Sequence, residues 1–244
     1  MKNSLLLALI GFSLTSTAQA SLIARAGGMV YDDVNNITWA ADANLFKTQA
    51  DSNPNLVSEI IAVNGGVIHD TPNYSDTVPN SGTYTLTSAD FKTSTGRMTW
   101  WGAKAWANNL TLGGYTDWSL PTTPVPLVSG YNQTGSQMGN LFYTQLGGVQ
   151  GTSITTTHNA KYNLFSNVQN NGYWSSREAG DNPYYAMYFG TSNGYQSFDY
   201  KSGQYHAWAV RQGDVAAVPL PGAVWLFLSG LIGFMSLKRR GHIG

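Results

Sequence analysis

Met98–Thr122 reads MTWWGAKAWANNLTLGGYTDWSLPT and passes from a helix through a glycine stop to an aromatic strand entry. Thr99 is a candidate N-cap. Trp100, Ala103, Ala107 and Leu110 recur at i, i+3, i+7 and i+10, a spacing that predicts one buried helix face. Trp101 and Trp106 fall off that face and are expected to close the core from the side or to sit under a neighbouring loop. Gly113 and Gly114 end the helix, and Tyr115 to Leu120 is expected as a strand stopped by Pro121. With Trp118, the segment holds half of the chain's eight tryptophans. It marks a core, and it contains no nucleophile paired with a base.

Upstream, Gly28 to Tyr31 and Ile37 to Trp39 flank Asp32-Asp33-Val34-Asn35-Asn36, which predicts a hairpin with an Asx-rich turn. The turn lacks the glycine and terminal glutamate of an EF-hand, so turn chemistry accounts for its acidic and amide residues better than a calcium site. Asn53-Pro54 opens a helix through Val63, with Leu56, Val57, Ile60, Ile61 and Val63 on its apolar face. Residues 70–97 read as a long excursion, broken by a short strand from Gly82 to Leu86.

Downstream, Met138, Leu141, Phe142 and Leu146 predict a helix between Gly135 and Gly148. Tyr184 to Phe189, Tyr195 to Tyr200 and Gln204 to Val210 are expected to form a three-stranded antiparallel meander. Helices early and strands late predict an α+β fold with two or three helices, antiparallel strands and long loops.

Charged residues make up only 11% of the chain and cysteine is absent, which excludes disulfides, thiolate metal sites and a cysteine nucleophile. Residues 1–20 carry Lys2, an apolar run from Leu5 to Leu14, and Ala18-Gln19-Ala20 before Ser21. That order predicts a secretory signal peptide. At the other end Val218-Pro219-Leu220-Pro221-Gly222 precedes an uncharged run from Ala223 to Leu237 and then the basic stop Lys238-Arg239-Arg240. The run would reach roughly 22 Å as a helix, short of a ~30 Å hydrocarbon core, which suits a temporary membrane anchor. The basic stop should stay cytoplasmic and leave everything upstream outside the inner membrane. Without both ends the body, residues 21–217, keeps nine Lys and Arg against thirteen Asp and Glu. A mildly acidic body with no basic stripe argues against nucleic acid as a partner.

The tail resembles the PEP-CTERM protein-sorting signal in its Val-Pro-Leu-Pro-Ala variant, with Gly222 in place of alanine. The resemblance implies an exosortase-type membrane protease as processing partner, removal of the apolar tail, and delivery to the cell surface or extracellular matrix. Met98-Thr99-Trp100, Trp106, Leu110, Gly114, Asp117-Trp118, Leu120-Pro121-Thr122, Tyr173-Trp174-Ser175-Ser176 and Ala207-Trp208-Ala209-Val210-Arg211 resemble the Lcl C-terminal domain family. That resemblance implies a C-type-lectin-like or formylglycine-generating-enzyme-like fold and adhesion through a sulfated polysaccharide. Ser119 stands where the family's Asp-Trp-Arg-Leu-Pro motif has arginine, which removes a residue that could tie the strand to a carboxylate. The missing cysteines rule out carrying over the oxidase chemistry.

His69, His158, His206 and His242 show no metal-ligand spacing, and Ser175 and Ser176 sit in no nucleophile elbow. Glu178 and Asp181 are a weak imitation of a glycosidase pair. No metal, cofactor or catalytic residue is therefore expected. The surplus lies in aromatics: Trp174, Tyr184, Tyr185, Tyr195 and Trp208 are the candidate ligand-binding residues, since flat rings beside Asn and Asp side chains can orient a polyol. The expectation is a non-enzymatic, exported glycan-binding or adhesion module. A structural matrix or surface component that binds other proteins is the second reading, and an enzyme ranks below both.

Overall fold

Thr99 caps the central helix as its sequence predicts. In the computed structural model, which describes residues 22–69, 82–179 and 182–215, the Thr99 hydroxyl accepts from Gly102 N at 3.2 Å and opens α3 (Trp100–Asn108). The same hydroxyl donates to Asp90 Oδ1 at 2.7 Å. Asp90 is buried, and Tyr84 Oη and Thr87 N also donate to it, both at 2.8 Å. Three alanines and no β-branched residue favour the helix. The one expected face is buried, and Trp101 and Trp106, which lie off it, are as buried as Trp100. Gly102 permits this closeness, because a Cβ there would lie 2.7 Å from Asp90 O.

Among the described residues the strands form four antiparallel sheets. β1 (Leu22–Arg25), β2 (Met29–Asp32), β3 (Ile37–Ala40) and β11 (Val210–Gln212) form one sheet in that order, so the first and last described strands belong to one layer. The β2–β3 hairpin is the expected one. Its Asp32 carboxylate accepts from Val34 N and Asn35 N, both at 3.1 Å, which is turn chemistry. β4 (Val67–His69) pairs with β5 (Thr83–Thr85), and β6 (Phe91–Lys92) with β7 (Arg97–Met98). The second half of the expected excursion is therefore folded around Asp90.

The late sheet has the order β10-β9-β8, from β8 (Gly172–Glu178), β9 (Tyr185–Gly190) and β10 (Tyr195–Tyr200). The expected third strand, Gln204 to Val210, is not in it. His206 to Val210 are all buried, and the peptide groups of this segment bond to different elements: Tyr205 to Met98, His206 to Gly172, Ala209 to Ala40. Alternation fails there because both sides are core. Likewise Tyr115 to Leu120 is no strand, and only Ser119 bridges Val210.

Three helical details differ from expectation. α1 (Leu45–Ser52), buried only through Phe46, has no sequence counterpart above. α2 (Leu56–Val63) is buried only through Ile60, and Val63 is 69% exposed, so its apolar face packs weakly. The helix expected before Gly147 begins as the single turn α4 (Gln137–Gly139) and widens into a π-helix over Asn140–Gln145, where Leu146 N donates to Leu141 O. The wider turn brings Asn140 and Gln145 to one side, where Asn140 Oδ1 accepts from Asn35 Nδ2 and Gln145 Nε2 donates to Asp32 Oδ1.

The motif position occupied by Ser119 is compensated from the far end of the chain: Arg211 in β11 grips Asp117 with two bonds of 2.8 and 3.0 Å and covers the Tyr115 ring at 4.1 Å. The expected signal peptide, sorting motif, apolar run and basic stop lie outside the described residues. Among the described residues no helix is long and apolar enough to cross a membrane.

Thr99→Ala should remove the cap and leave buried Asp90 short of a donor, lowering the unfolding free energy in urea by about 2 kcal/mol. Thr99→Ser should retain most of it; a loss below about 0.5 kcal/mol for the alanine variant would contradict this role.

Candidate functional site

Two of the candidate ring residues are not surface residues. Trp174 is fully buried and donates to Met98 O at 2.9 Å, and Trp208 is packed on Trp39, Phe165 and Tyr173 while donating to Ala40 O at 2.8 Å. Both are corrected from ligand-binding candidates to core residues: indoles this large, with their N–H groups satisfied internally, are frame members.

The remaining candidates separate by strand parity. Tyr200 stands opposite Tyr185 in the β9–β10 register and Phe198 opposite Met187, so alternation puts these four on one face. Tyr195 has the other parity and packs edge-on against Tyr131 at 4.8 Å. Tyr184, just ahead of β9, extends the first group. Centroid distances of 6.4 Å for Tyr184–Tyr185, 4.5 Å for Tyr185–Tyr200 and 5.5 Å for Tyr185–Phe198 make a continuous row. Phe198 and Tyr200 are half exposed and Tyr184 is 38% exposed. The Tyr200 hydroxyl bonds the Tyr185 phenol and pushes it above its usual pKa, so Tyr185 is uncharged at neutral pH.

Tyr185 and Phe198 line a groove of about 340 Å³ with Met187, Leu127, Ser129 and Asn182. Its loop wall is fixed by Gln196: the backbones of Gln196 and Gly130 exchange two bonds of 2.9 Å, and Gln196 Nε2 donates to Val128 O at 2.6 Å. Phe198, Met187, Leu127 and Asn182 were absent from the sequence-derived set. The parity of β10 was the available signal for Phe198; the loop residues come from remote positions and give none.

Among the described residues the groove lining carries no Asp, Glu, His, Lys or Arg side chain. Glu178 is bonded to Lys201 Nζ at 2.5 Å, and Ser175 Oγ accepts from Thr123 Oγ1 at 2.9 Å. Asp181, its proposed partner, lies outside the described residues. Among the described residues no group of three or more His, Asp or Glu converges as metal ligands.

A second, polar cleft of about 590 Å³ lies between α1, the β6–β7 turn and the segment before β8. Lys47, Arg97, Asn44, Gln169 and Asn171 line it, with His206 beneath. His206 is 3% exposed. Its Nε2 faces Thr95 O at 3.2 Å, and because a carbonyl only accepts, the proton sits on Nε2. Nδ1 has no partner among the described residues. Burial, with the Arg97 charge adding to it, pulls the imidazole down to about 4.

A family model described as the Lcl C-terminal domain matches residues 28–211. That span runs from the start of the β2–β3 hairpin to Arg211, whose grip on Asp117 closes the fold. No curated protein and no solved structure matches the chain.

A histidine whose folded pKa lies below its unfolded value binds its proton more readily when unfolded. Its effect is absent above about pH 6.5, and stability falls as the pH drops toward 4. The His206 contribution to that loss should approach about 3 kcal/mol. Urea midpoints between pH 7.5 and 4.5 should slope less in His206→Gln than in wild type; equal slopes would assign the acid sensitivity elsewhere.

Proposed function

The chain belongs to the Lcl C-terminal domain family, and on that premise we propose that it is an exported, non-enzymatic glycan-binding protein of the cell surface or extracellular matrix. Family membership favours a secreted or surface protein. The observation that carries the binding reading is the exposed ring row along the groove floored by Met187. Sugar rings present flat C–H faces that pack on aromatic faces, while hydroxyl edges need hydrogen-bonding groups beside them. Ser129 and Asn182 supply those groups at the groove margin. The row is uncharged, so its ligand is recognised by shape and stacking. The finer fold belongs to this reading as well: a C-type-lectin-like body in which the first and last strands share a sheet and the late sheet carries the ligand.

The same exposed rings support a second reading, a structural matrix component that binds protein copies, because half-exposed Phe198 and Tyr200 would also be covered in self-association. Retention on a panel of neutral and acidic polysaccharides separates the two. Tyr185→Ala/Phe198→Ala should weaken polysaccharide binding by about tenfold or more with the near-ultraviolet circular dichroism unchanged. Absence of binding to every polymer, with concentration-dependent light scattering in sugar-free buffer, would favour the structural reading instead.

Export completes the proposal. The 1–20 leader directs secretion, the apolar tail holds the chain transiently in the inner membrane, and an exosortase-type protease cuts at the Val218–Gly222 motif. The surface form should end near Pro221 or Gly222 by C-terminal mass spectrometry; a surface form still carrying Lys238-Arg239-Arg240 would sink the cleavage.

A further inference from the structure

We propose that the polar cleft beside α1 is a second ligand site, distinct from the ring row, and that it takes a carboxylate on a hydroxyl-rich ligand, the chemistry of a sugar acid. The charge balance of the cleft carries the inference. Lys47 is bonded to both oxygens of Asp51, at 2.9 and 2.6 Å, so this pair cancels. Arg97 is different. Its Nε reaches only Thr95 Oγ1, at 3.4 Å, and its two terminal amino groups find no acceptor among the described residues. Asp42, just ahead of α1, is not in the lining, and its oxygens are occupied by Asn44 N, Thr48 Oγ1 and Asn167 Nδ2. His206 below is neutral above about pH 4. Among the described residues, one cation of the cleft lining, Arg97, is therefore without an ion-pair partner.

That cation is a guanidinium, whose rigid planar fork matches a planar carboxylate with two parallel bonds. A single net charge fits a monoanion better than a phosphate dianion. The rest of the lining fits hydroxyl groups. Gln169 donates through Nε2 to Asn167 O at 2.6 Å and keeps its Oε1 available, while Asn171 accepts from Gly172 N at 2.7 Å and keeps its amide nitrogen available. One available acceptor and one available donor beside the Arg97 fork suit a polyol acid. A volume of about 590 Å³ holds one or two sugar rings. Asn44 holds the turn that presents Arg97, donating from Nδ2 to Thr95 O at 3.2 Å. The fork is thus mounted on a fixed hairpin.

The test is titration of the folded, full-length protein with glucuronate, glucose, glucose 6-sulfate and glucose 6-phosphate, read by chemical-shift changes and calorimetry at pH 7. Glucuronate should bind at least about tenfold more tightly than glucose, and Arg97→Gln should remove that advantage. Arg97→Lys, which keeps the charge and loses the fork, should fall between wild type and Arg97→Gln. Raising salt should weaken glucuronate binding and leave glucose unaffected. Equal affinity for glucuronate and glucose, or unchanged glucuronate binding in Arg97→Gln, would overturn the site. Preference for the sulfate or phosphate ester by about tenfold would overturn the carboxylate assignment. Tyr185→Ala/Phe198→Ala should leave glucuronate binding intact, so failure here and failure of the ring row are read on different variants.

Discussion

Two indole bonds run in opposite directions between the start of α3 and β8, and the remaining architecture is built on them. Trp100 Nε1 donates to Ser175 O at 2.8 Å, and Trp174 Nε1 donates to Met98 O at 2.9 Å. Each ring fills core volume and also satisfies a carbonyl of the opposite segment. Both bonds are buried: loss of the Trp100 donor would strand Ser175 O away from water, whereas Met98 O also accepts from Tyr205 N at 3.1 Å. The pair fixes the axial position of α3 against the late sheet. The neighbouring backbone then has one register available: Met98 exchanges bonds with Tyr205, and Trp100 N donates to Lys201 O.

This arrangement explains which parts of the fold were legible in the sequence. The Thr99 cap and the β2–β3 hairpin are local events, encoded within a few residues, and they form as read. Gln204 to Val210 reads as the third strand of the late sheet, but Gly172–Glu178 takes that place by pairing with β9, while Gln204 to Val210 is held by Met98, Gly172 and Ala40. His206 to Val210 are apolar on both sides of the backbone, a state that periodicity cannot separate from a strand. The π-helix was hidden for a similar reason: Asn140 and Gln145 reach the hairpin turn more than a hundred residues away.

The proposed ligand surfaces were legible in part for the same physical reason. Aromatic surplus located the late sheet, but it could not distinguish Trp174 and Trp208, whose N–H groups end on internal carbonyls, from Tyr184 and Tyr185, which stand at the rim. Arg97 gave no sequence signal, since its distinction is the lack of an ion-pair partner among the described residues, a property of three-dimensional neighbours. The same holds for Arg211, which meets Asp117 across 94 residues and restores the carboxylate tie that Ser119 lacks.

Lys201 connects the frame to the ring row. Its side chain has no exposed surface, lies 4.7 Å from the Trp100 ring and bonds Glu178, which is 24% exposed. Burying an ammonium costs more than one ion pair usually returns, so net stability is a weak explanation for it. Placement is a stronger one. Lys201 follows Tyr200 directly, its N–H donates to Tyr184 O, and Glu178 precedes Ala179 in the groove wall. The pair therefore locks the ends of β8 and β10 together where the rings emerge. If the row binds a ligand, a surface held this way loses little freedom on binding, and that saving is a larger share of the net affinity for a weakly contacting polymer than for a tightly gripped small molecule. The buried charge is thus better understood as a device for rigidity at the ring row than as a source of folding energy.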